Sequence, residues 1–225
     1  MDFSISVIRR LSDSDDPSSF ANKLRSRRFK EFEALISPLP RPLSILDVGG
    51  TNMFWEQRGW AGRKDIRIVT LNLTAEERTH ENIQPLAGNA SDLSQFSDRS
   101  FDVIFSNSVI EHLFTFENQR RMALEVRRVG NAFWVQTPNF WFPMEPHFHV
   151  PGWQWMPKGL RVRLLQRWRC GWRGPCPDLV NARKLVEEVR LMKRRELKAI
   201  FPGARLVPER FFGLVKSWTV IGSTD

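Results

Sequence analysis

The chain has 225 residues, 41% of them hydrophobic, and a formal net charge of +9. This length suits a single domain with a sizeable core, and the apolar content excludes a chain that is disordered throughout. No apolar run reaches the roughly 18 residues that a membrane-spanning helix needs, and the first ten residues do not resemble a secretory signal. The positive charge suits an anionic partner, such as nucleic acid, a lipid headgroup or a phosphorylated substrate, without choosing among them.

The cysteine and aromatic content bears on the cellular compartment and on the possible catalytic groups. The two cysteines, Cys170 and Cys176, have a spacing that matches no zinc or redox motif, so we expect a reduced, cytoplasmic protein. The chain has nine Trp and no Tyr, which excludes tyrosine as a general base.

The first half of the chain alternates between helical and extended patterns. We expect residues 1–17 to be poorly ordered and residues 18–225 to form one domain. Apolar spacing predicts a helix that begins near Ser18, with Ser18 or Ser19 as its cap, and that ends at the proline-rich run 38–42. The elements predicted next are a strand at 43–48, a helix at 52–60, a strand at 66–71, a helix opened by the capping box Thr74-x-x-Glu77, and a weak strand at 83–87.

The second half of the chain continues to alternate between strands and helices, and it ends with two helices followed by two consecutive strands. The predicted elements are a strand at 101–105, a helix from Ser108, a helix at 116–128, a strand at 132–136, helices at 158–169 and 185–200, and strands at 205–212 and 216–221. Alternating strands and helices with short links predict an α/β fold. We expect a Rossmann-like three-layer α/β/α domain with a mostly parallel seven-stranded sheet and an antiparallel C-terminal hairpin.

A glycine turn follows the first strand, in the run L-S-I-L-D-V-G-G-T-N-M-F-W from Leu43 to Trp55. A strand, a glycine turn and a helix start bring backbone N–H groups together and let a ligand approach the main chain. Ligands of open α/β sheets bind at the carboxyl ends of the strands. The polar residues at these predicted strand ends are Asp47, Asn72, Asn89, Ser106 and Asn107.

Four motifs in order carry a family resemblance. They are I-L-D-V-G-G-T after the first strand, L-N-L at the end of the second, G-N-A-S-D-L after the third and S-F-D-V-I-F-S-N-S-V-I-E-H-L around the fourth. Together they resemble the class I S-adenosylmethionine-dependent methyltransferases, and within them the type 11 small-molecule group. The resemblance covers about residues 43–136 and the closing helix and hairpin. It implies S-adenosylmethionine as cofactor and methyl transfer to a metabolite or a glycan- or lipid-linked acceptor.

The resemblance also assigns roles around the cofactor. Asp47 and Gly49 would shape the pocket for the methionine part, Asn72 would hold the ribose hydroxyls, and Asn89 would accept from the adenine amine. Leu73 and Ala90 would pack on the adenine faces. The expected cofactor-binding residues are Asp47, Gly49, Gly50, Asn72, Leu73, Asn89, Ala90, Ser106 and Asn107.

The chain departs from the family pattern at four places. Thr51 and Met53 replace two glycines of the usual loop, and the amides Asn72 and Asn89 stand where such enzymes usually have carboxylates. An amide loses the charge-assisted hydrogen bonds. These departures keep open a catalytically inactive ligand-binding protein on the same fold. A nicotinamide dinucleotide is not expected, because the chain lacks G-x-G-x-x-G after this strand.

Glu111 and His112 are the candidate catalytic residues. A neutral imidazole near the transfer site could take a proton from a hydroxyl, or could only line the pocket. The alternative for Glu111 is structural, since Ser108-Val109-Ile110-Glu111 is itself a capping-box pattern. Methyl transfer could also proceed without a base, because positioning supplies much of the rate.

A metal site is the second interpretation of the same residues. Glu111, His112, His147 and His149 could form a hard or borderline site. The pattern resembles small-RNA 2′-O-methyltransferases and some quinone O-methyltransferases, in which a helix supplies Glu-x-x-Glu-His; here Ser108 replaces the first Glu. Isolated His and Glu side chains usually make hydrogen bonds, so we assign no metal ligand. Metal-dependent RNA 2′-O-methylation stays an alternative, and nucleic acid is otherwise not an expected partner.

Residues 137–177 are expected to form an aromatic and basic insertion on the acceptor side. The proline- and aromatic-rich stretch 141–158 would be a pocket wall or lid, or else a packed surface loop. In the following helix, Leu160, Leu164, Leu165 and Trp168 fall on one stripe among arginines. Residues 158–173 could therefore contact the inner face of a membrane, or present a solvated basic face. No feature predicts an oligomeric state.

Overall fold

The structure is a computed structural model that describes residues 20–223. The expected disorder of residues 1–17 and the expected caps Ser18 and Ser19 lie outside this range. The described strands are β1 (Leu43–Val48), β2 (Ile66–Asn72), β3 (Ile83–Ala87), β4 (Phe101–Asn107), β5 (Gly130–Pro138), β6 (Arg205–Phe211) and β7 (Leu214–Ser223). The α-helices are α1 (Phe20–Ile36), α2 (Asn52–Gln57), α3 (Phe116–Val129), α4 (Lys158–Arg167), α5 (Leu179–Glu187) and α6 (Arg194–Ile200), with 3-10 turns at Ile110–His112 and Trp153–Trp155.

All seven strands form one sheet in the order β3-β2-β1-β4-β5-β7-β6. The strands β1 to β5 pair in parallel, and β7 pairs antiparallel with both β5 and β6. The strand order reverses between β1 and β4, so a ligand crevice is expected at their carboxyl ends. The predicted fold class is confirmed.

Helices cover both faces of the sheet. Strand β1 is an almost unbroken buried run, which is typical of a parallel strand with helices on both sides. On one face α1 and α2 bury Phe32 and Trp55, and on the other α3 and α6 bury Val126 and Leu197. Each fully buried side chain of this kind contributes about 1.5–3 kcal/mol.

A third apolar cluster forms within the stretch after β5. Phe148 and Trp153 stack there with ring centroids 4.2 Å apart. Helices α4 and α5 join the cluster through Val162, Leu165 and Ala182. The predicted apolar stripe of α4 was therefore partly wrong: Leu165 is buried, whereas Leu160 and Trp168 are exposed. The helix also ends at Arg167 instead of 169.

The helix predicted after Thr74 is wrong. Residues 73–82 contain no helix, and the segment instead closes over the start of α2. Glu76 Oε2 accepts a hydrogen bond from Asn52 N at 2.7 Å, and Asn52 Nδ2 donates to Glu77 O at 2.8 Å. Glu76 and the backbone of Glu77 thus satisfy donors of another element, and no capping box forms with Thr74.

The helix predicted from Ser108 is also wrong. Ser108 has a φ of 61°, and its Oγ donates to Gln136 Oε1 at 2.8 Å. Only one 3-10 turn follows, and its start has no side-chain cap, so no capping box joins Ser108 to Glu111.

The helix predicted at 185–200 is divided into α5 and α6. Residues 189–193 between them contain no helix and lie beside the site. There Arg190 N donates to Glu111 O at 2.8 Å, and Phe140 N donates to Met192 O at 3.2 Å. The intervening backbone therefore bonds to other elements, which ends the helical pattern. Helix α2 is shorter than predicted as well, because Gly59 follows it with a φ of 71°.

Candidate active site

The glycine turn after β1 requires both of its glycines. Gly49 has a φ of 83°, and a Cβ there would lie 2.3 Å from Val109 Cγ2. A Cβ on Gly50 would lie 1.7 Å from Asp47 Oδ2. Gly49 N donates to Leu71 O at 2.8 Å, which fixes the turn against β2. The backbone is thus held open where a side chain would fill the space.

Asp47 lies beneath this turn and is buried. Its Oδ2 accepts a hydrogen bond of 2.8 Å from Trp55 Nε1. Burial raises the pKa of Asp47 to about 8, the charge of Glu76 raises it further, and the Trp55 bond opposes the rise. The carboxyl therefore supports the glycine turn from the α1 and α2 side of the sheet.

Thr51 begins α2 in place of a glycine of the usual loop. It has ordinary extended backbone angles, φ −126° and ψ 154°, and its side chain accepts from Phe54 N at 3.3 Å. Met53 points outward and is exposed. Both departures from the glycine pattern are therefore compatible with the observed turn.

A cleft of about 310 Å³ lies at the carboxyl ends of the first strands. Five predicted cofactor residues line it: Gly49, Asn72, Leu73, Asn89 and Ala90. Its other walls are mainly apolar, from Leu71, Val109, Leu113 and Phe114. A mostly apolar crevice with a few polar groups and a side-chain-free backbone edge fits a nucleoside with an amino-acid tail.

The two cofactor-side asparagines differ in what they bind. Asn72 Nδ2 donates to Gly50 O at 2.6 Å, which joins β2 to the glycine turn. Asn89 Oδ1 accepts from Ser91 N at 3.0 Å and from Ser91 Oγ at 2.9 Å. The predicted acceptor of the adenine amine is thus engaged in a local turn. Its role toward the cofactor stays a prediction.

Ser106 and Asn107, the two predicted cofactor residues at the end of β4, contact neighbouring strands of the sheet. Ser106 is buried, and its Oγ donates to Val48 O at 3.1 Å, so it ties β4 to β1. Asn107 is half-buried and pairs with Gln136 of β5. Their cofactor roles likewise stay predictions.

Glu111, His112 and His147 converge beside the cleft. One ligand atom from each lies within 4.8 Å of the others, and the Nε2 atoms of His112 and His147 are 3.1 Å apart. Glu111 is fully buried; its Oε2 accepts from Thr137 Oγ1 at 3.0 Å, and its Oε1 has no hydrogen-bond partner among residues 20–223. Glu145 Oε1 is 2.6 Å from His147 Nδ1. We call Glu111, His112 and His147 the triad cluster.

The surroundings of Glu111, His112 and His147 shift their pKa values in different directions. Burial raises the pKa of Glu111 to about 7, although the charge of His147 opposes the rise. Burial, followed by the charge of His147, lowers the pKa of His112 to about 4. Burial would lower the pKa of His147, but its hydrogen bond to Glu145 and the charges of Glu145 and Glu111 outweigh burial and raise it.

A second cavity of about 240 Å³ lies next to the triad cluster. Glu111 and His147 line it, whereas the adjacent His112 lines the cofactor cleft. Its lining also includes a cationic wall of three side chains, Arg25, Arg28 and Lys216. Burial lowers the pKa of Lys216; the charge of Glu209 opposes this effect, and the charges of Arg28 and Arg25 add to it. Arg28 is paired with Glu209 at 3.1 Å.

Sequence reasoning missed several residues of this region. Trp55 bonds to Asp47, Glu145 fixes His147, and Lys216 enters from β7. Only Glu145 left a usable signal, because Glu145-x-His147 places a carboxylate next to an imidazole in a proline-rich loop. His149, considered as a metal ligand, does not belong to the triad cluster; its ring centroid is 5.8 Å from that of Trp172.

Comparisons with known proteins agree with this geometry. Residues 55–131 match the family model of a methyltransferase domain. Two uncharacterized proteins from two strains of Mycobacterium tuberculosis are each 38% identical over 55 residues, which are 24% of this chain and 19% of each relative. The chain therefore matches about a fifth of the length of these curated relatives.

Solved structures extend the likeness to the whole fold. An S-adenosylmethionine-dependent methyltransferase from Aquifex aeolicus is 16% identical, with a TM-score of 0.50 over 97% of both chains. One from Methanosarcina mazei is 13% identical, with a TM-score of 0.51 over 84% of this chain and 95% of that one. Such low identities establish the fold alone.

The strand order and the glycine turn are those of a Rossmann-like methyltransferase fold, and residues 55–131 match a methyltransferase domain. The family match implies S-adenosylmethionine as the cofactor. Among residues 20–223, no helix is both long and apolar enough to cross a bilayer.

Proposed function

We propose that this protein transfers a methyl group from S-adenosylmethionine to a hydroxyl of a small anionic acceptor, either a soluble metabolite or the head group of a lipid- or glycan-linked molecule. One observation carries the proposal. Two consecutive residues line different cavities: His112 lines the cofactor cleft, and Glu111 lines the second cavity. A donor and an acceptor bound in the two cavities would meet at this pair.

The cationic wall of the second cavity supports an anionic acceptor. Arg25, Arg28 and Lys216 lie together there, and Glu209 is bonded to Arg28 at 3.1 Å. Guanidinium and ammonium groups bind carboxylate and phosphate groups through charge-assisted hydrogen bonds. An acceptor anchored at this wall would direct its hydroxyl toward Glu111.

The residues of the chain supply mainly positioning. When bound, S-adenosylmethionine provides an electrophilic methyl on a good leaving group. The glycine turn and Asn72 would hold the amino-acid tail and ribose, and the cationic wall would hold the acceptor. Alignment of two bound reactants alone supplies a large part of a rate enhancement. Glu111 and His112 would contact the reacting hydroxyl, the position assigned to them as catalytic residues.

Binding and turnover experiments test the proposal separately. Calorimetric titration with S-adenosylmethionine and S-adenosylhomocysteine should give saturable binding of both. Labelled methyl should then appear in an anionic metabolite or in an extracted lipid fraction. Binding without transfer to either fraction would favour the inactive ligand-binding protein, and absence of binding would contradict the cofactor site.

The cationic wall has its own test. Lys216→Met should raise the KM for the acceptor about tenfold and leave the affinity for S-adenosylmethionine unchanged, because one charge-assisted bond is lost. Lys198→Met is the matched control, since Lys198 is exposed on α6. Equal effects of the two variants on KM would contradict an anionic acceptor.

Peripheral contact with a membrane belongs to the same proposal. Leu160 and Trp168 are 46% and 57% exposed, and Arg163, Arg167 and Arg169 are exposed beside them. Such a surface suits the interface of an anionic bilayer. Wild-type protein should sediment with anionic vesicles, and Leu160→Ser/Trp168→Ser should not. Equal sedimentation of the two proteins would contradict membrane contact through this helix.

A further inference from the structure

We propose that the triad cluster binds one divalent transition-metal ion, with a Glu111 carboxylate oxygen and the Nε2 atoms of His112 and His147 as ligands. Two nitrogens that are each about 2.1 Å from one ion lie about 3.0 Å apart at a right angle and about 3.4 Å apart at a tetrahedral angle. The observed separation of the two Nε2 atoms is 3.1 Å. The nitrogens therefore already have the spacing of two ligands of one ion.

Glu111 provides the second, independent observation. It is fully buried, and its Oε1 lacks a hydrogen-bond partner within the part of the chain that the structure describes. A buried carboxylate oxygen without a donor is costly, and such groups are usually paired or bound to metal. Thr137 fixes the other oxygen at 3.0 Å, which leaves Oε1 as the ligand atom.

The surroundings of His147 match those of a metal-bound histidine. Its Nδ1 is 2.6 Å from Glu145 Oε1, while the second oxygen of Glu145 accepts from His147 N at 2.8 Å and from Phe148 N at 2.7 Å. A histidine that binds metal through one nitrogen usually donates the other N–H to a carboxylate, which fixes its tautomer and orientation. Glu145 is a positioning residue in this assignment, and it directs the Nε2 lone pair toward the ion.

The ligand set selects the kind of ion. Two imidazoles and one carboxylate favour Mn²⁺, Fe²⁺, Co²⁺ or Zn²⁺ over Mg²⁺ or Ca²⁺, which prefer oxygen. Three protein ligands leave positions open, as in catalytic sites. An acceptor hydroxyl bound there would lose its proton more readily, because the ion stabilises the alkoxide. This role rests on the proposed methyl transfer, whereas binding of the ion does not.

Metal titration without cofactor or acceptor tests the site. Protein purified without a histidine tag would be titrated with Mn²⁺ and Co²⁺, by calorimetry and by loss of the free Mn²⁺ EPR signal. We expect one ion per chain, with affinity at least tenfold weaker in Glu111→Gln and in His147→Gln. Glu145→Gln should weaken binding by about 10–100-fold while keeping one ion per chain.

His80→Gln is the control, because this half-buried histidine bonds to Glu56 away from the cluster. It should bind metal like the wild type. Circular dichroism of each metal-free variant checks folding, and a variant that is unfolded would be replaced by His112→Gln. Lack of saturable binding by the folded wild type, or equal affinities of wild type and cluster variants, would overturn the metal site. Since no methyl transfer is measured, either result is independent of the proposed activity.

Discussion

Trp55 Nε1 donates a 2.8 Å hydrogen bond to Asp47 Oδ2 directly beneath the glycine turn. The two residues lie eight positions apart, at the end of β1 and within α2. The bond therefore spans the Gly49–Gly50 turn and joins the strand before it to the helix after it. The cofactor edge of the sheet depends on this link, because the carboxyl that supports Gly50 has Trp55 as its hydrogen-bond donor.

Trp55→Phe should destabilise the protein and weaken cofactor binding. The substitution removes the donor to a buried carboxyl, which costs about 1–3 kcal/mol, in addition to the loss of indole packing. Trp134→Phe is a matched control, since Trp134 is equally buried but its Nε1 has no hydrogen-bond partner among residues 20–223. Urea unfolding of both variants measures the difference. Equal losses of unfolding free energy would show that the bond contributes nothing.

Asp47→Asn should change how stability depends on pH. The folded protein keeps a proton on Asp47 up to about pH 8, whereas the unfolded carboxyl loses it near 3.8. Because the folded state binds more protons in this window, this group makes the unfolding free energy fall with rising pH, by up to about 1.4 kcal/mol per unit. Above the folded pKa the contribution is constant.

The comparison of variant with wild type isolates this effect, because Glu111 and His112 titrate in both proteins. Urea unfolding would be measured without cofactor at pH 5, 6, 7 and 8. The unfolding free energy of Asp47→Asn should increase relative to that of the wild type as the pH rises. Parallel pH profiles would mean that Asp47 is ionised throughout, and that its pKa is not raised.

Gly49→Ala should disturb the glycine turn after β1 by two effects: the cost of a positive φ and a steric clash with Val109. The new Cβ would meet Val109 Cγ2 at 2.3 Å, and a positive φ costs an alanine about 1–2 kcal/mol. Gly59→Ala is the control for the angle, since its φ is 71° and no atom lies within 4 Å of the new Cβ. Gly49→Ala should therefore lose more unfolding free energy and more affinity for S-adenosylmethionine.

A double variant separates the clash from the strain. Adding Val109→Ala to Gly49→Ala should restore part of the lost cofactor affinity, because the clashing methyl is removed. Affinity in the double variant no better than in Gly49→Ala would contradict a steric role for Val109 in fixing this turn.

The sheet was predictable from the sequence because its strands carry local signals. Strand β1 is an almost unbroken apolar run that ends at two glycines, and such a run has few alternative structures. The carboxyl ends of parallel strands lie at one edge, which is why Asn72 and Asn89 line one cleft as expected. Strand-end position was sufficient for this part of the site.

The wrong predictions have a common physical cause. Glu77 fits a capping box with Thr74 by spacing, yet its carbonyl oxygen accepts from Asn52 Nδ2 of another element. Glu111 fits a second capping box, yet it is buried against Thr137. Local patterns do not report a partner that is 25 or 26 positions away. The sequence grouped His112 with His147 and His149 as possible ligands, but it could not show that His147, 35 positions away, contacts His112 while His149 does not join them.

Thr51 tests whether the departure from the usual glycine loop disables the protein. Its side chain caps α2 by accepting from Phe54 N, so Thr51→Ala should cost about 1 kcal/mol of unfolding free energy, and Thr51→Gly only a few tenths. Since the turn already has its observed conformation with threonine, Thr51→Gly should leave the affinity for S-adenosylmethionine within about threefold of wild type, a difference of less than 1 kcal/mol. Urea unfolding and calorimetry measure both quantities. A gain in affinity of tenfold or more in Thr51→Gly would mean that the threonine obstructs the cofactor. The natural Thr51 would then lower the affinity of this domain for S-adenosylmethionine.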